Sequence, residues 1–184
     1  DEVDVLLTHS QLPDLPILGT GGVSIGRDAV EMLLAGASAV GVGTATFAEP
    51  RAALRILDEP LGDQRLVFLG AGAAGTGIAR LVRAQMCREG VPEDQIRRAI
   101  VQLDSRGLTY LGREPLDADK EELALGPEEL AAYGFEAGQT YGLEEVVKRV
   151  RPTVLIGTSG TAGAFTEVAI REMAAHARIP VILP

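Results

Sequence analysis

Glycine residues at a fixed spacing are the clearest chemical signal in the chain. The apolar run Arg65–Leu69 leads into Gly70-Ala71-Gly72-Ala73-Ala74-Gly75, and a helix-like stretch follows. This is the G-x-G-x-x-G pattern between a strand and a helix. Gly70 permits a tight turn, Gly72 lets the backbone approach a pyrophosphate, and Gly75 lets the helix pack close to the strand. Because the anion then lies against free amides at the positive end of the helix dipole, the pattern predicts a dinucleotide ligand.

A carboxylate follows where the next strand is predicted to end. Asp104 at that position can accept hydrogen bonds from ribose hydroxyls, and it repels a 2′-phosphate. It comes 29 positions after Gly75, later than the usual ~20, because we expect the helix to extend through Val91–Arg98. Arg106 could instead tolerate the phosphate of NADP. The pattern therefore favours NAD and leaves NADP open.

The residues that could act in catalysis or bind a metal lack the partners that these roles need. Cys87 has no histidine near it in sequence, so a structural thiol is the expected reading. His9 has no further ligands at metal spacing, and His176 offers no triad. The turn Gly157-Thr158-Ser159-Gly160-Thr161 is not a nucleophile elbow, since threonine stands where the second flanking glycine belongs. We therefore predict no catalytic residue and no metal site.

Composition narrows the classes of partner. The chain has 184 residues with a net charge of −9, which argues against nucleic acid because phosphate binding needs clustered lysine and arginine. A single cysteine excludes an intramolecular disulfide. No apolar stretch approaches the ~20 residues that cross a bilayer, so we expect no membrane partner and a cytoplasmic location. A homodimer stays open.

Short apolar runs alternate with longer helical patterns, which is typical of a parallel sheet flanked by helices. The predicted fold class is α/β, a doubly wound, mostly parallel sheet of about seven strands in a Rossmann-like three-layer sandwich. The predicted strands are Val3–Leu7, Pro16–Gly19, Ala39–Val42, Arg65–Leu69, Ala99–Leu103, Thr153–Ile156 and Pro180–Leu183. The predicted helices are Gly26–Ala35, Pro50–Leu57, Gly75–Glu89, Pro127–Tyr133, Gly142–Val150 and Thr166–Ala177.

Two regions resist this scheme. Thr8–Leu15 is too short for a helical crossover between parallel strands, so the first strand runs antiparallel at an edge or is not a strand. Arg106–Gln139 mixes glycine, proline and acids. We expect it to be a surface excursion with a short helix or two, its charges forming a solvated face.

Several predicted strands end in glycine-rich turns, at residues 19–22, 41–44, 70–75 and 157–160. Ligands of open α/β sheets bind outside the carboxyl ends of the strands, so these turns could line one crevice. The alternative is that small residues only make compact turns.

From about Pro60 to Pro184 the chain resembles the NAD-binding domain of malic enzymes. The resemblance covers the fingerprint at Arg65–Gly75, then Val101–Gly107, Gly142–Val146 and Arg151–Gly160, followed by Gly163-Ala164-Phe165-Thr166. It implies that Asp104 faces the adenosine ribose, and that Ser159 and Gly160 lie near the nicotinamide end of the cofactor. Ser105 and Thr158, which adjoin these residues, are also predicted to bind the cofactor.

The segment Pro16–Leu57 resembles the last two βα units of the dihydroorotate dehydrogenase barrel. In that family these turns hold a phosphate through backbone amides, which implies that Gly21, Gly22, Gly43 and Thr44 would grip the phosphate of FMN. Two βα units cannot close an eight-stranded barrel, and the other flavin contacts have no counterpart here. This weighs against FMN as a ligand.

Together the two resemblances predict a single α/β domain over residues 1–184, with barrel-derived units at 1–57 and a dinucleotide-binding region at 58–184. The chain looks like a recombined or designed chimera. Malic enzymes also need a metal held by carboxylates, a lysine base and a tyrosine acid. Nothing in this chain resembles the segments of the family that carry these groups. We expect dinucleotide binding without malate turnover. The alternatives are a structural chimera without ligand, or an oxidoreductase fragment that needs a partner domain.

Overall fold

The computed structural model describes residues 17–41, 59–160 and 164–183. Contacts divide the chain into two compact units, Asp1–Leu61 and Gly62–Pro184. The predicted strand Val3–Leu7 and the predicted helix Pro50–Leu57 lie outside the described residues. None of the helices in the described segments is long and apolar enough to cross a membrane.

The first unit contains a small βαβ element. Strand β1 (Leu18–Thr20) pairs in parallel with β2 (Ala39–Gly41), and helix α1 (Gly26–Leu34) connects them. The described core of this unit is small and consists of Val23, Met32, Ala35 and Ala37.

The second unit is built on a five-stranded sheet. Its strands are β3 (Leu66–Leu69), β4 (Ile100–Asp104), β5 (Gly107–Leu108), β6 (Val154–Gly157) and β7 (Val181–Leu183). The spatial order is β5-β4-β3-β6-β7, and every pair is parallel except β4 with β5. The central strand β3 therefore has β4 on one side and β6 on the other.

Six helices in the described residues accompany this sheet. They are α2 (Ala73–Arg88), α3 (Glu93–Ala99), α4 (Ala118–Glu121), α5 (Pro127–Ala132), α6 (Leu143–Val150) and α7 (Glu167–His176), and a short 3-10 turn at Leu61–Asp63 precedes β3. Helix α2 contacts β3, and α3 contacts β4. Helices α6 and α7 contact each other.

The core of the second unit is built on the alternation of side chains along the strands. Val67, Val101 and Leu155 point to one face, where they join buried side chains of α5, α6 and α7 in one apolar cluster. Leu66 and Phe68 are also buried but do not belong to that cluster. Because neighbouring residues of a strand face opposite sides of the sheet, the sheet is covered on both faces.

The α/β class and the mostly parallel, Rossmann-like sheet are confirmed. The seven described strands form two sheets, one of two strands and one of five. The single domain expected over residues 1–184 stays a prediction. Element ends differ from the predictions by one or two residues, as with α2, which begins at Ala73 rather than Gly75.

The long helix expected through Val91–Arg98 is wrong. Helix α2 stops at Arg88, and Gly90 takes a left-handed backbone with φ 78°. The N–H groups of Gly90 and Val91 donate to the carbonyls of Cys87 and Met86, which is the Schellman pattern of a helix end. A separate helix, α3, then leads into β4.

The expectation of a surface excursion over Arg106–Gln139 is also wrong in part. This segment adds β5 to the sheet edge, and five of its apolar side chains lie in the main core: Leu108, Tyr110, Leu125, Leu130 and Phe135. The sequence pattern did not indicate this burial, because these residues are spaced irregularly between acids and glycines.

Helix α2 packs directly on the turn that follows β3. This predicts that alanine substitutions at two of the helix's glycines change the free energy of unfolding in opposite directions. A methyl group at Gly75 would overlap the carbonyl oxygen of Gly70, whereas one at Gly77 meets nothing within 4 Å. We expect Gly75→Ala to lower the free energy of unfolding by about 2 kcal/mol through overpacking.

The matched variant Gly77→Ala should raise the free energy of unfolding by up to about 1 kcal/mol, since alanine favours helix more than glycine does. Urea unfolding followed by circular dichroism measures both. Equal stability of the two variants would contradict the close packing of α2 on the turn.

Candidate functional site

The strand order reverses at one position of the five-stranded sheet, and a ligand can enter there. From β3 the chain first crosses to β4 on one side and later returns to β6 on the other. The crevice outside the carboxyl ends of strands at such a reversal is where open α/β sheets bind ligands. The turns after β3 and β6 both lie at this point.

These two turns are held against each other by hydrogen bonds. Thr158 N–H donates to the carbonyl of Leu69 at 2.9 Å, and Thr158 Oγ1 donates to the carbonyl of Gly70 at 2.8 Å. On the other side, Gly70 N–H donates to the carbonyl of Leu103 at 2.8 Å. Gly70 has φ 125°, and a methyl group there would come within 2.8 Å of Ser159 N. The glycine turn is therefore fixed from both neighbouring strands.

The first turn of α2 is open toward the crevice. Its N-cap residue, Gly72, has an extended backbone and no side chain to cap the helix. A methyl group at Gly72 would meet nothing within 4 Å, and Gly72, Ala73 and Ala74 are exposed. Unpaired helix amides with space above them form an anion site.

Asp104 at the end of β4 is held in an ion pair within the chain. Arg113 Nη1 donates to Asp104 Oδ1 at 2.9 Å, and Arg113 Nη2 donates to Oδ2 at 2.6 Å. The N–H of Arg106 also donates to Oδ1, and Lys120 Nζ lies 3.7 Å from Oδ2. The two side chains of the main pair are only 11% and 9% exposed. The pair is therefore largely shielded from water.

Two opposing effects act on this carboxyl. Burial alone would raise the pKa of Asp104, but the hydrogen bonds from Arg113 and Arg106 and the nearby charges of Arg113 and Lys120 outweigh it. The pKa of Asp104 therefore lies below its ordinary value, and the group is a carboxylate at neutral pH.

A cavity of about 280 Å³ adjoins the glycine turn. Its wall is formed by the turn and the first turns of α2 on one side and by the α4 segment on the other. Thr76 lines it, with a buried Oγ1 that has no hydrogen-bond partner among the described residues. One turn further along α2, Arg80 forms ion pairs with Asp119 and Glu122, and these raise the pKa of Arg80.

The structure brings most of the predicted site residues to one edge of the five-stranded sheet. The glycine turn follows β3, Asp104 ends β4 with Ser105 directly after it, and Thr158, Ser159 and Gly160 follow β6. Gly21 and Gly22 belong to the first unit, where both have positive φ and open space. Gly43, Thr44 and Val42, which was expected to border the crevice, lie outside the described residues.

Sequence reasoning missed the charged residues that surround this edge. Arg113, Lys120 and Arg80 pair with carboxylates across the fold. The charge run Asp117–Glu122, expected to be a solvated face, contributes several of the partners. Only the acidic composition of that segment hinted at this role. Within the described segments, no group of three or more His, Cys, Asp or Glu side chains could hold a metal ion.

The Asp104–Arg113 pair predicts a defined loss of stability. Arg113→Met removes one partner of a nearly buried ion pair, and we expect the free energy of unfolding to fall by roughly 3 kcal/mol at pH 7. Urea unfolding measures this. An unchanged free energy would contradict the importance of the pair.

The direction of the Asp104 pKa also predicts a pH dependence. A carboxyl whose pKa is lowered by folding stabilises the protein above its unfolded pKa of about 3.9, and this contribution is lost as pH falls through the folded pKa. Asp104→Asn should therefore flatten the loss of stability below about pH 4. Asp63→Asn, at an exposed position, serves as control for the loss of one carboxylate.

Two family models match the chain. The model of the malic enzyme NAD binding domain matches residues 34–184, and that of dihydroorotate dehydrogenase matches residues 3–61. Among solved structures, one described as a malate oxidoreductase has a TM-score of 0.50 at 19% identity, and the match covers 99% of this chain and 45% of that one. At this identity the likeness supports the fold alone.

Curated relatives agree with the first of these families. The chain is 40% identical to the NAD-dependent malic enzyme of Pseudomonas aeruginosa over 81% of its own length and 26% of the relative. It is 39% identical to the NADP-dependent malic enzyme of Sus scrofa over 77% of its length and 24% of the relative. The chain spans about a quarter of the length of these relatives. Since the family model covers most of the residues, the chain belongs to the malic enzyme NAD binding domain family.

Proposed function

We propose that residues 62–184 bind a nicotinamide dinucleotide, NAD or NADP, at the carboxyl edge of the five-stranded sheet. The observation that carries this proposal is the open, uncapped start of α2 at Gly72, located where the strand order reverses. Family membership supports it, because related malic enzymes are named as NAD- or NADP-dependent.

In this proposal each turn holds one part of the cofactor. The backbone amides of the glycine turn hold the pyrophosphate, with contributions from Gly70, Gly72, Ala73, Ala74 and Gly75. Two residues at the end of β4, Asp104 and Ser105, face the adenosine ribose. The turn after β6 lies near the nicotinamide and contributes Thr158, Ser159 and Gly160.

The ion pair of Asp104 leaves an acceptor position of the carboxylate available to a ribose hydroxyl. Oδ1 accepts from Arg113 and Arg106, whereas Oδ2 accepts one short hydrogen bond from Arg113 and has Lys120 at 3.7 Å. A carboxylate offers about four acceptor positions, so a ribose hydroxyl can donate to Oδ2 without breaking the pair. Arg113 then fixes the carboxylate in its charged form and orientation.

The proposed role is binding rather than catalysis. A bound nicotinamide would supply hydride-transfer chemistry, and the residues described here would hold and orient the cofactor for it. The chain contributes no residue that we assign as acid, base or metal ligand. We therefore propose that turnover needs segments of a longer protein or a partner domain, and malate-dependent NADH production by this chain alone would contradict that view.

A pair of helix-capping glycines gives the sharpest test of the site. Gly72 and Gly142 both cap a helix with an extended backbone, and a methyl group at either meets nothing within 4 Å. We expect Gly72→Val to weaken NAD binding at least tenfold, because the new side chain fills the space that the pyrophosphate needs. Isothermal titration calorimetry measures the dissociation constant.

Gly142→Val is the matched control, since it makes the same change at the start of α6. It should leave the NAD dissociation constant unchanged within a factor of about two. The melting temperatures of both variants report that the fold is kept. Wild-type NAD affinity in Gly72→Val would show that the glycine turn is not the site.

Ligand-induced stabilisation separates the candidate functions. A ligand at ~100 times its dissociation constant should raise the free energy of unfolding by ~2.7 kcal/mol. We expect this with NAD or NADP, measured by thermal shift. Stabilisation by FMN alone would instead favour the phosphate site expected from Gly21, Gly22, Gly43 and Thr44. No stabilisation with any of the three would leave the structural chimera without ligand as the better reading.

A further inference from the structure

A second cavity lies at the opposite edge of the five-stranded sheet from the glycine turn. It has a volume of about 490 Å³ and is lined by residues that precede β3, by residues of α3 and by Tyr133. Arg65 and Ala99 stand directly before β3 and β4, so this amino-edge cavity lies where the two parallel strands begin. Its size is typical of small-molecule pockets, which occupy about 300–1,000 Å³. None of the described residues assigned to the dinucleotide lines it.

The position of Arg65 in this cavity is fixed from the start of β6. Its N–H donates to Thr153 Oγ1 at 3.0 Å, and its carbonyl accepts from the N–H groups of Thr153 and Val154 at 2.9 and 3.1 Å. The guanidinium is held in the same region, since its Nε donates to the carbonyl of Arg151 at 2.9 Å. Because backbone and side chain are both tied down, a ligand that binds Arg65 orders little that is not already ordered.

The other two nitrogens of the Arg65 guanidinium are available to a ligand. Among the described residues, neither Nη1 nor Nη2 has a hydrogen-bond or ion-pair partner. These two nitrogens form the end of the guanidinium fork, which matches two oxygens of a carboxylate or phosphate group. Arg65 is half-buried, so its charge is screened less than that of a fully exposed side chain.

One ion pair and one phenol surround this fork. Arg98 pairs with Asp94 at 2.5 Å, so its charge is largely balanced within α3. The hydroxyl of Tyr133 donates to the carbonyl of Arg98 at 2.7 Å, which fixes the ring as a wall of the cavity. Burial raises the pKa of Tyr133, and the positive charges of Arg65 and Arg98 act against this rise. Both guanidiniums therefore lie close to the phenol.

Asp63 opposes an anion in this cavity, and Gln95 favours one. Asp63 is exposed and has no ion-pair partner among the described residues, so water and salt screen its charge more than that of Arg65. Gln95 Nε2 donates one hydrogen to the carbonyl of Gly62 at 2.8 Å, and a side-chain amide has a second one to offer. The balance at the fork therefore favours an anion, and loss of the Asp63 charge would favour it further.

We propose that the amino-edge cavity binds a small molecule through an oxyanion, a phosphate or carboxylate group held by Nη1 and Nη2 of Arg65. The ring of Tyr133 offers the rest of such a molecule a surface on which to pack. The site lies apart from the crevice proposed for the dinucleotide, and this inference does not rest on that proposal. Phosphate and carboxylate share the geometry that the fork recognises, and the test distinguishes them.

Titration followed by nuclear magnetic resonance tests the proposal at the site itself. Inorganic phosphate and acetate are the two probes, and we expect at least one of them to shift the Nε–H signal of Arg65 saturably. The backbone amide signals of Gln95 and Tyr133 should shift with the same dissociation constant. The probe that binds more tightly identifies the group as phosphate or carboxylate. If neither probe gives saturable shifts at these residues, the inference is wrong.

Charge variants separate the fork from general electrostatics. Arg65→Gln should weaken the tighter-binding probe at least tenfold, because a charged bidentate contact is lost. Asp63→Asn should tighten it at least twofold, because an opposing charge is removed. Arg88→Gln is the matched control, since it removes a positive charge at an exposed position of α2 that does not line the cavity. This control should change the affinity less than twofold.

Two results with these variants would contradict the assignment. Equal losses in Arg65→Gln and Arg88→Gln would reduce the effect to net charge. Weaker binding in Asp63→Asn would show that the ligand uses this carboxylate and is not held as an oxyanion alone.

A lysine variant tests the geometry of the fork and does not depend on the folding of Arg65→Gln. Arg65→Lys keeps the positive charge and removes the two-pronged contact, so it should weaken the probe at least threefold. Melting temperatures of all variants report that the fold is kept. Wild-type affinity in Arg65→Lys would contradict a bidentate contact.

The amides at the start of α2 could also attract inorganic phosphate, and a competition experiment separates the two sites. The shifts at Arg65 and Gln95 should persist with saturating NAD and in Gly72→Val. Shifts confined to Gly72 and Ala73, or shifts abolished by NAD, would assign the anion to the glycine turn and would overturn the inference.

Discussion

The pairing of β3 with β4 on one side and β6 on the other is the constraint on which the rest of the second unit depends. Because all three strands run in parallel, their carboxyl ends meet at one edge of the sheet. The turn after β3 is then fixed from both sides, through Gly70 N–H to Leu103 and through Thr158 to the carbonyls of Leu69 and Gly70. A change of partner at either side of β3 would separate the turns.

The same constraint distinguishes the start of α2, where we propose the site, from the start of another helix. Helix α6 also begins at a glycine with an extended backbone and free space above it. Its start follows an irregular segment, whereas that of α2 follows a buried strand directly and has the turn after β6 beside it. A helix dipole is general, but a rigid turn aimed at a reversal in strand order is specific to α2.

The sequence could predict those features that are encoded locally. The glycine spacing, the apolar runs and the position of Asp104 after its strand all follow from contacts between near neighbours in the chain. The partners of Asp104 could not be predicted in this way. Arg113 and Lys120 reach it only because the chain turns back through β5 and α4, and a charge has no periodic signature that reveals such a return.

The break between α2 and α3 is signalled locally, although a continuous helix was expected. Gly90 is followed by Val91 and Pro92, and a glycine with a proline shortly after it is typical of a helix end. The left-handed backbone of Gly90 and the two closing hydrogen bonds end the helix there. Irregular core segments such as residues 106–139 escape prediction for a different reason, since their burial depends on the face that the sheet offers them.

The electrostatics of the site follow from an acidic chain that must still attract an anion. With a net charge of −9, the protein repels anions at long range. The cations nearest the glycine turn are bound to carboxylates, so attraction of a pyrophosphate has to come from backbone amides at the start of α2. Amide dipoles act only over the first turn of the helix. Within this site the attraction of an anion is therefore confined to the start of α2.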